Sequence, residues 1–191
     1  MTYFNWIIFA SWLVFVVYWA ITAVGVKRNL GTRRWGWEIW LRVVVVVIAI
    51  SIIRTPSLRH ALWRAQQDIS GGGVVLSAAG AALSVLGMGF AIWARAYLGR
   101  NWGLPMSRKE NPELVTGGPY AYVRHPIYGG LLVAMFGSTI GGMVVWVLLL
   151  VPSLAYFVYS ARKEEKLMRE QFPEQYPAYM RRTKMFVPFV I

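Results

Sequence analysis

The sequence contains no cysteine and only two histidines, His60 and His125. The absence of cysteine excludes disulfide frameworks, thiolate metal sites and cysteine nucleophiles. Two histidines are too few for a histidine-rich metal centre, and neither HExxH nor a Gly-Lys-Ser/Thr phosphate loop occurs. Gly87-Met88-Gly89 lacks the third glycine and the preceding strand of a dinucleotide fingerprint. We therefore expect neither a metal site nor a nucleotide-binding loop.

Acidic residues are also scarce, with 8 Asp and Glu against 20 Lys and Arg, for a formal net charge of +12. A basic chain of this kind can bind nucleic acid, but here the basic residues lie between apolar stretches rather than along one exposed element. This distribution is typical of the cytoplasmic loops of membrane proteins. We therefore predict no nucleic-acid partner.

Charged residues make up only 15% of the chain and apolar residues 57%. The charge-free stretches are too long for an ordinary soluble core. The 191 residues therefore predict a single all-α, multi-pass integral membrane domain in contact with membrane lipids. Five transmembrane helices are expected, at about residues 3–26, 37–53, 69–94, 126–140 and 143–161.

The positions of the basic residues predict an orientation for this domain. Seventeen Lys and Arg fall on one predicted side of the membrane and three on the other. Because cytoplasmic loops carry the excess of positive charge, the amino terminus is expected outside and the carboxyl terminus in the cytoplasm. Loop 95–125 and tail 162–191 then form a cytoplasmic catalytic region with a cofactor pocket. The external segment 54–70 has apolar residues at helical spacing, which predicts a helix on the bilayer surface.

The last two predicted spans belong to one uncharged run, residues 126–161. As a single helix these 36 residues would be roughly 54 Å long, whereas the hydrocarbon core is only about 30 Å thick. Gly141-Gly142 lies near the middle of the run and is the natural turn of a helical hairpin. Such a hairpin returns the chain to the face that it left, so His125 should lie near Glu164 and Glu165.

The segment of residues 118–130, GPYAYVRHPIYGG, therefore lies at one wall of a candidate site. Pro126 suits the first turn of a helix, which places Arg124 and His125 at an amino terminus that attracts anions. Glu164 and Glu165 supply the opposite charge, so the pocket suits a ligand that carries both signs. The alternatives are an interfacial charge pair at Arg124-His125 and a solvated helix face at Glu164-Glu165.

Four stretches in fixed order extend this pattern: LGRNW from Leu98, ELVTGGPYAYVRHPIYGG from Glu113, EEKLMREQFPEQYPAY from Glu164, and FVP from Phe186. In them the sequence resembles the isoprenylcysteine carboxyl methyltransferase family, which is related to the phospholipid N-methyltransferases of membranes. The resemblance covers about half of the chain and implies S-adenosylmethionine-dependent methyl transfer at the cytoplasmic face. The cofactor contacts that it implies are Leu114, Val115, Tyr120, His125, Pro126, Ile127, Tyr128 and Glu164.

The chain departs from the family pattern at Pro112, where a histidine is usual, and at Ser160, where an arginine associated with the substrate is usual. Arg124 or Arg162 would have to replace that arginine. Glu165 would be the base if the acceptor were an amine, whereas a carboxylate acceptor needs none. The candidate catalytic residues are therefore Arg124, Glu165 and Arg162.

The expected acceptor is a lipophilic or lipidated molecule that enters from the bilayer. Methylation of a phospholipid or of another small amine is the first alternative. An NADPH-dependent membrane reductase and a non-enzymatic membrane scaffold are the alternatives from other functional classes.

Overall fold

A computed structural model of the protein describes residues 2–23, 29–30, 55–71, 73–102, 108–109 and 113–187. In these ranges the fold is all-helical apart from a pair of two-residue strands, β1 (Asn29–Leu30) and β2 (Arg108–Lys109), which are antiparallel. The helices are α1 (Tyr3–Thr22), α2 (Pro56–Gly71), α3 (Gly73–Leu98), α4 (Pro126–Ile140), α5 (Val147–Gln171) and α6 (Gln175–Arg182).

Three of the described segments, Tyr3–Thr22, Gly73–Leu98 and Val144–Gln171, are long and apolar enough to cross a membrane. Helix α4 is apolar but shorter, with 15 residues. These elements make the protein an integral membrane protein, as predicted. The second predicted span, residues 37–53, lies outside the described residues, so the count of five spans stays a prediction.

Two boundaries differ from the sequence-based estimates. The third predicted span, residues 69–94, corresponds to α3, which begins at Gly73 and continues to Leu98. Gly73 has a φ of 87°, and this left-handed conformation separates α3 from α2. Helix α5 does not end at residue 161 but continues to Gln171. Strong helix formers such as Ala, Lys, Glu, Leu, Met and Arg dominate residues 161–171, so the helix runs on beyond the apolar stretch. Glu164 and Glu165 consequently lie within a continuous helix.

Small residues allow α3 and α4 to pack closely, and this is the most extensive helix contact among the described residues. A Cβ added to Gly87 would lie 2.6 Å from the backbone nitrogen of Ala134, and one added to Gly80 would lie 2.2 Å from that of Gly141. Hydroxyl groups also meet here, with Ser84 and Ser138 3.2 Å apart between their oxygens. The Nε1 of Trp12 donates to the same Ser138 hydroxyl at 3.0 Å, which connects α1 to the pair.

The chain reverses at Gly141 and Gly142, where the glycine pair predicts a turn. Gly142 has a φ of 93°, a left-handed conformation that favours glycine. A 3₁₀ turn at Val144–Trp146 then leads into α5. Helix α2 lies at this end of the hairpin, since the side chain of Gln66 accepts a hydrogen bond from the backbone N–H of Val144 at 3.2 Å. The turn therefore fixes one end of the α4 and α5 pair, and the opposite ends of the two helices carry the candidate site.

Candidate functional site

The candidate site lies where α4 begins and α5 and α6 approach it. Two consecutive basic residues before α4, Arg124 and His125, meet two consecutive acidic residues of α5, Glu164 and Glu165. We call these four side chains the ion cluster. The hairpin thus brings together the oppositely charged residues that the sequence separates by 39 positions or more. Glu165 does not lie on a solvated helix face, because it is only 4% exposed.

Within the ion cluster, His125 lies between the two glutamates. Its Nδ1 is 3.5 Å from Oε2 of Glu164, and its Nε2 is 3.4 Å from Oε1 of Glu165, a contact without hydrogen-bond geometry. Burial opposes a charge on this imidazole, but the interactions with the nearby carboxylates of Glu164 and Glu165 outweigh burial and raise its pKa. The cluster therefore favours the imidazolium form of His125.

Arg124 connects the ion cluster to the carboxyl-terminal segment. Its Nε donates to Oε1 of Glu165 at 2.7 Å, and its Nη1 donates to the carbonyl oxygens of Thr183 and, at 3.5 Å, Met180. The Arg124 side chain is only 10% exposed. The guanidinium therefore binds the end of α6 and does not point to a site for the expected lipophilic acceptor molecule.

The other predicted arginine, Arg162, is exposed, and no hydrogen bond or ion pair connects it to the ion cluster. Ser160 is fully buried, and its hydroxyl has no hydrogen-bond partner among the described residues. At the position where the family pattern has its arginine, the chain therefore has a buried hydroxyl.

Tyr128 adds a hydroxyl group and an aromatic face to the site. Its hydroxyl donates to Oε1 of Glu164 at 2.7 Å. Its ring stacks on His125 with centroids 5.6 Å apart and on Phe157 with centroids 4.7 Å apart, both nearly parallel. Tyr128 therefore orients Glu164 and supports His125.

Backbone hydrogen bonds fasten the carboxyl-terminal segment over the start of α4. The N–H groups of Arg124 and His125 donate to the carbonyls of Lys184 and Met185 at 2.8 and 3.0 Å. These two donors are therefore not open to an anion. Inside the helix the first N–H with an acceptor is that of Gly129, which leaves the N–H groups of Ile127 and Tyr128 as the first-turn donors.

The segment before α4 is also tied to α6 through two tyrosines. The hydroxyl of Tyr179 donates to the carbonyl of Tyr120 at 2.6 Å. Burial is the main cause that raises the pKa of Tyr179 to about 12, so this hydroxyl stays protonated as a donor. A cleft of about 440 Å³ opens beside Tyr179, between α6 and residues 114–116. Its lining residues are Leu114, Thr116, Gln175, Ala178, Tyr179 and Arg182.

The eight cofactor contacts implied by the resemblance fall into three groups. His125, Tyr128 and Glu164 contact one another directly. Leu114 lines the cleft, and Tyr120 is buried beside Tyr179. Pro126 is buried at the start of α4, while Val115 and Ile127 are partly exposed. Their role in binding a cofactor stays a prediction.

Sequence reasoning missed several residues that shape this site. Phe157 lies seven positions before Glu164, two helical turns along the same face of α5, and this spacing was a usable signal. Phe186 contacts the rings of His125 and Tyr128 at 6.0 and 6.5 Å between centroids. Thr183 contributes only a backbone carbonyl to Arg124, which no side-chain pattern reveals.

Among the described residues there is no group of three or more His, Cys, Asp or Glu side chains that could hold a metal ion. The ion cluster itself has two cations and two anions in mutual contact. The arrangement of the ion cluster suits recognition of an organic ligand through paired charges and hydrogen bonds.

Comparisons with known proteins find similar sequences in bacteria and in a plant. Two curated bacterial relatives are the nickel-cobalt-cadmium resistance protein NccN of Alcaligenes xylosoxydans xylosoxydans and the cobalt-zinc-cadmium resistance protein CzcN of Cupriavidus metallidurans. They are 35% identical over 155 residues and 33% identical over 156 residues, in each case across 78% of this chain. The matched region spans 63% and 62% of the lengths of these relatives.

A third relative, protein-S-isoprenylcysteine O-methyltransferase B of Arabidopsis thaliana, is 30% identical over 97 residues, which are 46% of this chain and 45% of the relative. The fold is similar to the structure of the eukaryotic intramembrane Ras methyltransferase ICMT, with a TM-score of 0.58 and 20% identity. That similarity covers 93% of this chain and 73% of the other. Residues 75–175 match the family model described as phospholipid methyltransferase. The chain therefore belongs to the phospholipid methyltransferase family, which confirms the relationship that its motifs predict.

Proposed function

We propose that this protein is an S-adenosylmethionine-dependent methyltransferase that modifies a lipophilic acceptor taken from the bilayer. The observation that carries the proposal is the position of Glu164. Its side chain is 27% exposed at the end of apolar helices, and Tyr128 and His125 hold its two oxygens. Supporting this, the matched family region, residues 75–175, includes the whole ion cluster. The charge bias of the loops supports a cytoplasmic location for this site.

The chemistry of the site fits the cofactor, which carries an ammonium, a carboxylate, hydroxyls and a sulfonium. Glu164 would accept hydrogen bonds from the amino or hydroxyl groups, and the first-turn N–H groups of Ile127 and Tyr128 would bind the carboxylate. Leu114 and Tyr120 would enclose the remainder next to the cleft, whose 440 Å³ falls within the roughly 300–1,000 Å³ of small-molecule sites. When bound, the cofactor supplies an activated methyl group. The protein then has to position a nucleophile in line with it and exclude water.

The ion cluster favours an acceptor that needs no general base. Glu165 is buried, accepts from Arg124 and lies 3.4 Å from His125. A carboxylate already neutralised by two cationic groups is a poor proton acceptor, so it would activate an amine weakly. We therefore propose an acceptor with a carboxylate, which is already ionised at neutral pH. This places Glu165 and Arg124 in a positioning role and leaves Arg162 without an assigned one.

An amine acceptor is the second candidate, because the matched family model is described as phospholipid methyltransferase. The two classes give different products. A methylated carboxylate is an ester that mild base hydrolyses to methanol, whereas a methylated amine survives the same treatment. Volatile label after base treatment of the labelled product supports the carboxylate, and base-stable label supports the amine.

Binding of the cofactor can be tested with the ten tryptophans of the chain as reporters. Titration of the detergent-solubilised protein with S-adenosylmethionine should change their fluorescence with saturation. Glu164→Gln should weaken binding about tenfold, because a hydrogen bond to a charged group is lost. Glu174→Gln is the matched control, since Glu174 is exposed beyond the end of α5, and it should bind like the wild type.

The proposal fails if the wild type shows no saturable binding, or if Glu164→Gln binds as tightly as the wild type. A parallel melting experiment addresses the functional alternatives. Protection from heat by NADPH in place of S-adenosylmethionine would favour the reductase. Protection by neither molecule would favour the scaffold.

A further inference from the structure

Helix α5 carries a second charged surface, on the side that faces away from the ion cluster. Arg162, Lys163 and Lys166 are exposed there. By contrast, Ser160 and Glu165 of the same helix turns are buried. At about 100° per residue, the three exposed positions lie within about 100° of one another around the helix axis. We call these three cations the basic face. It includes Arg162, for which the ion cluster leaves no role.

The basic face begins where the lipid-exposed part of α5 ends. Val151 and Leu154 are exposed apolar side chains of the membrane-spanning segment, and the exposed ring of Tyr159 follows them. Tyrosine is typical of the boundary between the hydrocarbon core and water. Lys166 lies seven residues beyond Tyr159, which is about 10 Å along the helix. The basic face therefore lies at the level of the lipid headgroups.

The charges of the basic face are not neutralised by ion pairs within the described part of the chain, where the ion pairs belong to the ion cluster. Arg162 and Lys166 are one helical turn apart, a spacing at which like charges repel each other. Glu170 follows Lys166 by one more turn and is thus farther from the apolar stretch. An anion bound beside the basic face would relieve this repulsion.

An aromatic ring holds Lys163 close to the bilayer. Its Nζ lies 4.7 Å from the centre of the Tyr159 ring, a cation–π contact. The ring engages one side of the ammonium, which has three N–H donors, so the other side can donate to an oxygen anion. The contact directs the cation back toward the apolar part of α5. Lys163 is therefore placed to meet a lipid phosphate at the boundary.

We propose that the basic face binds the phosphate headgroup of an anionic phospholipid in the leaflet at this end of α5. The occupant is a lipid and not a soluble phosphate compound, because the cations continue directly from lipid-exposed apolar side chains, where acyl chains pack. Juxtamembrane basic clusters attract anionic lipids in this way. The site lies outside the ion cluster and gives Arg162 a role in lipid binding. It does not depend on methyl transfer, since the bound lipid is not chemically changed.

The experiment adds phosphatidylglycerol, an anionic lipid, to the detergent-solubilised full-length protein. Phosphatidylcholine, which has no net charge, is added in parallel. A lipid that binds the folded protein raises its melting temperature, which tryptophan fluorescence follows. The wild type should gain more from phosphatidylglycerol, and this excess should disappear near 1 M salt, where the Debye length falls to about 3 Å. Equal gains from the two lipids would overturn the inference.

Substitutions assign the excess to particular side chains. Lys163→Gln should need about fivefold more phosphatidylglycerol for half of the gain, because one cation near the bilayer is lost. The triple variant Arg162→Gln, Lys163→Gln, Lys166→Gln should respond equally to the two lipids. Arg181→Gln is the control, since it removes an exposed cation of α6 instead, and it should respond like the wild type.

Two outcomes would refute the site even if phosphatidylglycerol stabilises the wild type. The triple variant could keep the excess, or Arg181→Gln could lose as much as Lys163→Gln, which would mean that only the overall charge of the protein matters. Glycerol 3-phosphate separates the lipid from a soluble anion. At the same concentration it should give no gain, and a gain equal to that of phosphatidylglycerol would show that a lipid is not required. Failure of S-adenosylmethionine binding would contradict the proposed function alone, because these melting experiments contain no cofactor.

Discussion

The Arg124 side chain contacts both Glu165 and the end of α6, and we call these contacts the Arg124 clamp. Their removal should destabilise the protein and release its carboxyl-terminal segment. In the substitution Arg124→Gln, the buried Glu165 loses its 2.7 Å partner, and the carbonyls of Met180 and Thr183 lose their donor. Removal of one member of a buried ion pair costs about 3–5 kcal/mol, because the remaining charge is uncompensated. His125 still lies 3.4 Å from Glu165 and offsets part of this cost, so we expect about 3 kcal/mol.

Two measurements report on the clamp. Thermal unfolding followed by tryptophan fluorescence gives the loss of global stability. Limited trypsin digestion reports on the carboxyl-terminal segment, because Arg181, Arg182 and Lys184 are exposed cleavage sites next to the clamp. Cleavage at these sites should become faster in Arg124→Gln under conditions where the rest of the chain stays folded.

The matched control is Arg162→Gln, since Arg162 is an exposed arginine of α5 without contact to the ion cluster. Its effect on stability should stay within about 0.5 kcal/mol. The double variant Arg124→Gln, Glu165→Gln should recover part of the loss, because no unpaired carboxylate remains buried. If Arg124→Gln unfolds and is cleaved like Arg162→Gln, the clamp is refuted.

Two further substitutions test the orientation of Glu164 and the packing of the helices. Tyr128→Phe removes the hydroxyl at 2.7 Å from Glu164 and keeps the ring, so S-adenosylmethionine should bind about tenfold more weakly in a fluorescence titration; unchanged affinity would contradict this role. Gly87→Ala should destabilise the protein by about 1–3 kcal/mol in thermal unfolding, because its Cβ would lie 2.6 Å from the backbone of Ala134. Gly89→Ala, with no atom within 4 Å of its Cβ, is the control, and equal effects would contradict the close packing.

The approach of the charged residues was predictable from the sequence because it depends on chain topology. An uncharged run too long for one crossing and interrupted by Gly141-Gly142 has to fold back, which brings His125 to Glu164. The small residues of α3 likewise predict close helix packing, as observed at Gly87. Periodicity and composition carry this information directly.

The partners of individual polar atoms were not predictable in the same way. Arg124 and His125 were predicted to lie at an amino terminus that attracts anions, but their own N–H groups donate to the backbone carbonyls of Lys184 and Met185. Every residue has a carbonyl, so side-chain patterns do not indicate which one will be used. The continuation of α5 to Gln171 was missed for a related reason, since the end of an apolar span does not have to be the end of a helix.

The measurement that tests the central claim most directly is transfer of a labelled methyl group from S-adenosylmethionine in membranes that contain the protein. The account predicts that label appears in the organic-extractable fraction with the wild type and with Glu174→Gln, and falls at least about tenfold with Glu164→Gln. Label that stays with the cofactor in the wild type, or transfer that is equal in Glu164→Gln, would contradict the claim that this ion cluster is a methyltransferase site.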